Sequence, residues 1–184
     1  MAHLAQKEYL QSVKDKFTDF FHNKKVLEVG SLNINGTVRD FFTNCDYTGI
    51  DVGEGKDVDI VVQGQNYDAP DNTFDVVLSC ECFEHNPEWV ATFKNMYRMC
   101  KPGGLVIMTC ATGAREEHGT TRSDPNSSPL TVGIGWDYYK NVSEDDFRKE
   151  LDIVSMFKEF KFSTGNPAHN EDGPHMDLYF YGTK

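Results

Sequence analysis

Three short runs of this chain are apolar almost without interruption: Val26-Leu27-Glu28-Val29, Phe74-Asp75-Val76-Val77-Leu78-Ser79 and Leu105-Val106-Ile107-Met108-Thr109-Cys110. A strand with one face in water alternates apolar and polar residues. A strand covered on both faces has no reason to, and such runs belong to parallel sheets with helices on either side. Two weaker runs, 47–51 (YTGID) and 58–62 (VDIVV), read as further strands of the same sheet. Helical patterns are predicted over about 3–22, where Leu4, Leu10, Val13, Phe17 and Phe21 recur on one face, and over 35–43, 87–100 and 143–151. Pro87 suits a first helical turn, and Ser143 with Asp146 reads as an N-cap pair. Strands alternating with helices predict α/β layering. The last two apolar runs, 153–162 and 176–182, are separated by a loop rich in Gly, Pro and Asn instead of a helix, which predicts an antiparallel closing pair. The expected architecture is one domain over 1–184, three layers deep, with a mostly parallel seven-stranded sheet and an antiparallel C-terminal strand.

Two features break the regularity. The link Val52–Asp57 is too short for a helical crossover, which takes a dozen or more residues, so one of the strands it joins is expected to be very short. Residues 112–142 form a long polar connection rich in Gly, Ser, Thr and Asp, the character of a lid or substrate-binding loop.

The formal charge of −11 opposes binding to nucleic-acid phosphates or anionic membranes, and neither is expected as a partner. Five cysteines, an odd number with no CxxC pair, sit mostly in apolar runs and read as free thiols in a reducing, cytoplasmic setting. Cys80-Glu81-Cys82 near His85 has neither the spacing nor the second pair of a metal site, so no metal is expected. No run approaches a membrane span, and the first residues lack a signal-peptide core, so a soluble protein is expected.

The stretch Lys24–Phe42 carries the first chemical clue. In open parallel sheets, ligands bind beyond the carboxyl ends of the strands. Gly30, directly after the first strand, lets a ligand touch backbone, and Ser31 and Asn33 continue that floor. Asp51 ends the second strand, where a carboxylate accepts hydrogen bonds from both hydroxyls of a ribose. The glycines needed to approach a pyrophosphate are missing, since Leu32 and Asn33 follow Gly30, which argues against a nicotinamide dinucleotide and for S-adenosylmethionine.

The motifs LEVGS (27–31), YTGID (47–51), PDNTFDVVLSCECFEH (70–85) and CKPGGLVIMT (100–109), in that order, resemble the class I S-adenosylmethionine-dependent methyltransferases, in particular the type 11 methyltransferase domains. The resemblance covers roughly residues 24–111 and implies a Rossmann-like sheet and methyl transfer to an oxygen or nitrogen of a small polar or sugar-like acceptor. It implies that Glu28, Gly30, Ser31 and Asn33 line the methionine and backbone side of the cofactor, and that Asp51 with Val52 holds the ribose. Gln63 and Gly64 would face the adenine, although the family's acidic residue there is replaced by Gln63. Ser79, Cys80 and Glu81 would face the transferable methyl group. His85, oriented by Glu84, is a candidate base or a support for the following helix, and His118 is a candidate base, a substrate ligand or a solvated loop residue. Tyr138 and Tyr139 either cover substrate or pin the loop, and His169 and His175 are expected at the surface. A binding module that keeps the cofactor without turnover is the alternative from another class, and an NAD-dependent oxidoreductase is a further one.

Overall fold

The computed structural model describes residues 4–165 and 176–184; His169 and His175 lie outside them. Helix α1 (Leu4–Lys16) leads into β1 (Lys25–Val29), β2 (Asp46–Asp51), β3 (Ile60–Val61) and β4 (Phe74–Cys80). Then follow α2 (Trp89–Met99), β5 (Cys100–Ala111), α3 (Pro129–Gly133), α4 (Glu144–Glu150), α5 (Ile153–Met156), β6 (Glu159–Gly165) and β7 (Asp177–Thr183). All seven strands form one sheet in the order β3-β2-β1-β4-β5-β7-β6. The pairs among β1 to β5 are parallel, and β7 is antiparallel to both β5 and β6.

Successive residues of the central strands feed opposite faces, which is why their sequence is continuously apolar. Leu27, Val29, Val77, Val106 and Met108 pack with Phe93, Met96, Phe147, Phe157 and Phe180 from α2, α4, the turn after α5 and β7. Val26, Val76, Leu78, Leu105 and Ile107 pack on the other face with Leu10 and Val13 of α1, Phe21 and Val38. Cores on both faces make the three layers.

Four expectations are corrected. The helix over 35–43 is only a 3-10 turn at Arg39–Phe41. Gly36 sits at φ 145°, and its amide donates to the Asn33 side chain at 2.9 Å, which holds the chain in a loop instead. The N-terminal helix stops at Lys16 and resumes as a 3-10 turn over Thr18–Phe21. The run 153–162 is split, because the Asp152 carboxylate accepts the Ser155 amide at 3.3 Å and starts α5 before β6 begins. Helix α2 begins at Trp89, after Asn86 accepts the Glu88 amide at 2.8 Å in a turn that includes Pro87. The short crossover has the expected consequence: β3 is two residues long. The capping box of α4 is present, with the Asp146 amide donating to Ser143 Oγ at 3.2 Å and the Ser143 amide to Asp146 Oδ2 at 2.9 Å.

The order of strands positions the site. The chain winds outward from β1 through β2 to β3 and returns to β4 on the other side of β1, so the carboxyl ends of β1 and β4 flank the point where the winding reverses, the place such sheets keep for ligands.

Candidate active site

At the tip of β1, Gly30 has φ +84°, and a Cβ on it would stand 2.7 Å from Cys82 Cβ and 2.9 Å from its Sγ. Any larger residue is excluded by both the backbone and the neighbour. At the tip of β2, Asp51 accepts the Leu32 amide at 3.0 Å on one oxygen and the Val52 amide at 2.7 Å on the other. A carboxylate offers about four lone-pair positions, so each oxygen retains one for a further donor.

These residues border an open cleft with an empty volume of about 650 Å³, solvent at its mouth included. Its wall includes Glu28, Gly30, Ser31, Leu32, Asp51, Cys80, Glu81 and His85, with Gln6 from α1 and Ser127–Thr131 from the 112–142 loop. A second, much narrower space also touches Gly30 and Asp51, and is bounded by Val52, Val62, Gly64, Asn86 and Trp136. Asp51 therefore stands between the two. The loop is not structureless: it contains α3, whose Leu130 side chain lies against Gly53 and whose Thr131 touches both spaces.

Burial dominates the electrostatics. It pushes the Glu28 carboxyl up to about 7, against a hydrogen bond of 2.8 Å from the Tyr47 hydroxyl. It raises Asp51 as well, opposed by the two amides. Glu81 holds a left-handed conformation, φ 53°, immediately after β4, the kind of strain that clusters at functional sites. It is anchored by a chain of hydrogen bonds: Gln6 Nε2 donates to Thr109 Oγ1 at 3.0 Å, which donates to Glu81 Oε1 at 2.8 Å. Arg115 lies 3.9 Å from the other side of that carboxylate and 2.5 Å from Asp177. His85 is only 3% exposed, and burial, helped by the neighbouring His118, lowers its imidazole to about 3. His118 is lowered too, chiefly by burial. The two rings lie 5.0 Å apart, with Tyr139 at 5.7 Å from the first and 5.0 Å from the second. The Tyr139 hydroxyl donates to Asn141 Oδ1, two residues on in the same loop, at 3.0 Å.

Glu28, Gly30, Ser31, Asp51, Cys80, Glu81 and His85 are thus brought together on one cavity, and Val52 and Gly64 on its neighbour. Three expected contacts lie off both walls. Ser79 is fully buried and donates to the Val29 carbonyl at 2.8 Å. Asn33 donates to Asp57 at 2.6 Å. Gln63 turns its oxygen to the side chains of Gln65 and Asn66, each at 3.0 Å. His118 stands behind His85 and does not reach the cavity wall. Gln6 was not anticipated, although a glutamine on the apolar face of a helix that continues through Leu10 and Val13 is a recognisable sign of an inward polar role. Ser127–Thr131 carried no local signal beyond their place in the polar loop.

Residues 27–108 match the family described as a methyltransferase domain. A stretch of 43 residues is 42% identical to phosphoethanolamine N-methyltransferase 2 of Caenorhabditis elegans, which is 23% of this chain and 10% of that protein. Among solved structures, phosphoethanolamine N-methyltransferase 2 of Haemonchus contortus, in complex with phosphomonomethylethanolamine and S-adenosylhomocysteine, superposes with a TM-score of 0.67 at 16% identity. That superposition covers 97% of this chain and 52% of the other, so this chain spans about half its length. An S-adenosylmethionine-dependent methyltransferase from Archaeoglobus fulgidus, of similar size, gives 0.61 at 14% identity, covering 96% and 94%.

Proposed function

From a chain that has the class I S-adenosylmethionine-dependent methyltransferase fold and carries a methyltransferase domain over residues 27–108, we propose transfer of a methyl group from S-adenosylmethionine to the nitrogen of a small polar amine. The observation that carries the choice of acceptor is the charge of the cavity wall. It presents the carboxyl groups of Asp51 and Glu81, with Glu28 pushed up to about 7 by burial, and, among the described residues, no lysine or arginine. Such a wall favours cations, a sulfonium and an amine alike, over an acceptor that carries a phosphate.

The residues fit an adenosyl cofactor. The backbone at Gly30 leaves bare a space that any Cβ would fill, and Asp51 has one free acceptor position per oxygen for the two ribose hydroxyls. When bound, S-adenosylmethionine supplies the electrophilic methyl group on a cationic sulfur whose departure is neutral. Holding donor and acceptor in line is then most of the catalysis. Glu81, fixed by Thr109 on one oxygen, is the group placed to hold the amine. His85 lines the same wall and stays neutral at any physiological pH, so it adds no positive charge beside the sulfonium, and the acceptor's proton passes to solvent.

The test is a panel of small amines, alcohols and phosphorylated amines incubated with methyl-labelled S-adenosylmethionine. Labelled product from unphosphorylated amines, lost on Glu81→Gln, is expected. Transfer only to alcohols or only to phosphorylated amines would overturn the choice of acceptor.

A further inference from the structure

Where the 112–142 loop crosses the turn after β4, three side chains with metal-binding atoms converge: Glu84, His85 and His118, each offering one donor within 4.8 Å of the others. Glu84 is fully buried, and both of its carboxyl oxygens, together with Nδ1 of His85, lie away from water without a hydrogen-bond partner. Buried polar atoms in folded proteins are nearly always paired, and an orphan points to a water or an ion. Burial raises the Glu84 carboxyl to about 8; once that proton is released, and with His85 protonated on its other ring nitrogen, the missing partner has to satisfy acceptors only. His118 Nδ1 stands 2.9 Å from the Glu116 carbonyl, which can only accept, so that nitrogen carries the proton and the other ring nitrogen is a bare acceptor. With the Glu84 oxygens and His85 that makes more acceptors than the two protons of one water molecule can serve. The nearby cation, Arg115, is committed to Asp177 at 2.5 Å.

We propose that Glu84, His85 and His118 form a mononuclear site for a divalent transition-metal ion of the zinc class. Two imidazoles and one carboxylate, without thiols, suit zinc, cobalt or iron(II) better than calcium or magnesium. The bond from His118 Nδ1 to a backbone carbonyl is the outer contact that orients a metal-binding imidazole. The fold also builds the approach. Gly119 has φ +66°, and a Cβ there would stand 2.6 Å from His85 Cε1, so the bare backbone following His118 is what lets the loop lie against the His85 ring. Three protein donors leave a coordination position open. The site stands on these contacts whether or not the acceptor is an amine.

The experiment uses the full chain, stripped of metal by a chelator and titrated with cobalt(II), with ligand-field absorption and calorimetry as readouts and zinc as competitor. One ion per chain is expected, displaced by zinc. His118→Ala and Glu84→Gln are each expected to weaken uptake by about 100-fold or more, while His22→Ala, remote from the site, leaves it unchanged. Absence of uptake, or native affinity in either variant, overturns the proposal. Should Glu84→Gln fail to fold, His118→Ala decides, since His118 sits on a partly exposed loop. S-adenosylhomocysteine titrated into the same samples keeps the two readings apart: uptake of it without uptake of metal refutes the metal site and leaves the methyltransferase reading standing.

Discussion

Asp51 is the residue whose replacement tests the cofactor assignment most directly, provided its two jobs are separated. Its carboxylate already accepts the amides of Leu32 and Val52 at 3.0 and 2.7 Å, so Asp51→Ala removes a loop anchor as well as the proposed ribose contact. A loss of affinity in that variant alone would not show which of these mattered. A double-mutant cycle isolates the contact: native protein and Asp51→Ala are each titrated with S-adenosylhomocysteine and with an analogue lacking the ribose hydroxyls. Hydrogen bonds to a charged acceptor contribute about 1.5–3 kcal/mol each. If partial exposure in the cavity leaves a total near that range, native protein should bind the analogue roughly 10- to 150-fold more weakly. Asp51→Ala, having no acceptor to lose, should discriminate between the two ligands by less than about threefold. Isothermal calorimetry measures all four corners. Equal binding of both ligands by the native protein, or undiminished discrimination in the variant, would refute the idea that this carboxylate grips a ribose.

Three further outcomes follow from the same geometry. Burial raises the Glu28 carboxyl to about 7 in the folded state, so the folded protein holds that proton more tightly than the unfolded chain; its stabilising effect is complete below pH ~4.5 and lost as pH rises through about 7. Urea unfolding of Glu28→Gln without cofactor should therefore gain on the native protein by roughly 3 kcal/mol between pH 4.5 and 8, and a constant difference across that window would count against a buried, raised carboxyl. Gly30→Ala places a Cβ at φ +84° and 2.7 Å from Cys82. The left-handed backbone alone costs about 1–2 kcal/mol, so a lower melting temperature is expected together with loss of S-adenosylhomocysteine binding, and a variant with native affinity would refute the bare-backbone floor. Ser143→Ala breaks the capping box that starts α4 and should cost about 1 kcal/mol in urea unfolding, with cofactor binding intact.

Apart from the site, the described residues contain no helix long and apolar enough to cross a membrane. All five cysteines are free, and four of them have raised thiols or burial that keeps them unreactive: Cys80, Cys82, Cys100 and Cys110 are each pushed up chiefly by burial. They act as small apolar side chains, with Cys82 filling the space that Gly30 leaves.

Local sequence determined the parts of this protein whose physics is local. The uninterrupted apolar runs at 26–29, 74–79 and 105–110 required cover on both faces, Ser143 and Asp146 required a helix start, and Gly30 and Asp51 marked strand tips suited to a ligand. What the sequence left open was decided by contacts between residues far apart in the chain. The segment 35–43 has helical periodicity, yet Gly36, tied to Asn33, holds a loop, because a few residues of propensity are weaker than the hydrogen bonds and packing of their surroundings. Ser79 and Gln63 occupy positions that motif order placed beside the cofactor, but the direction of a side chain depends on which neighbour accepts it, Val29 in one case and Gln65 with Asn66 in the other. Gln6 joins the cavity from more than a hundred residues before its partner Thr109. His118 meets His85 only because the polar loop folds back across the end of the sheet, and no spacing along the chain encodes that meeting.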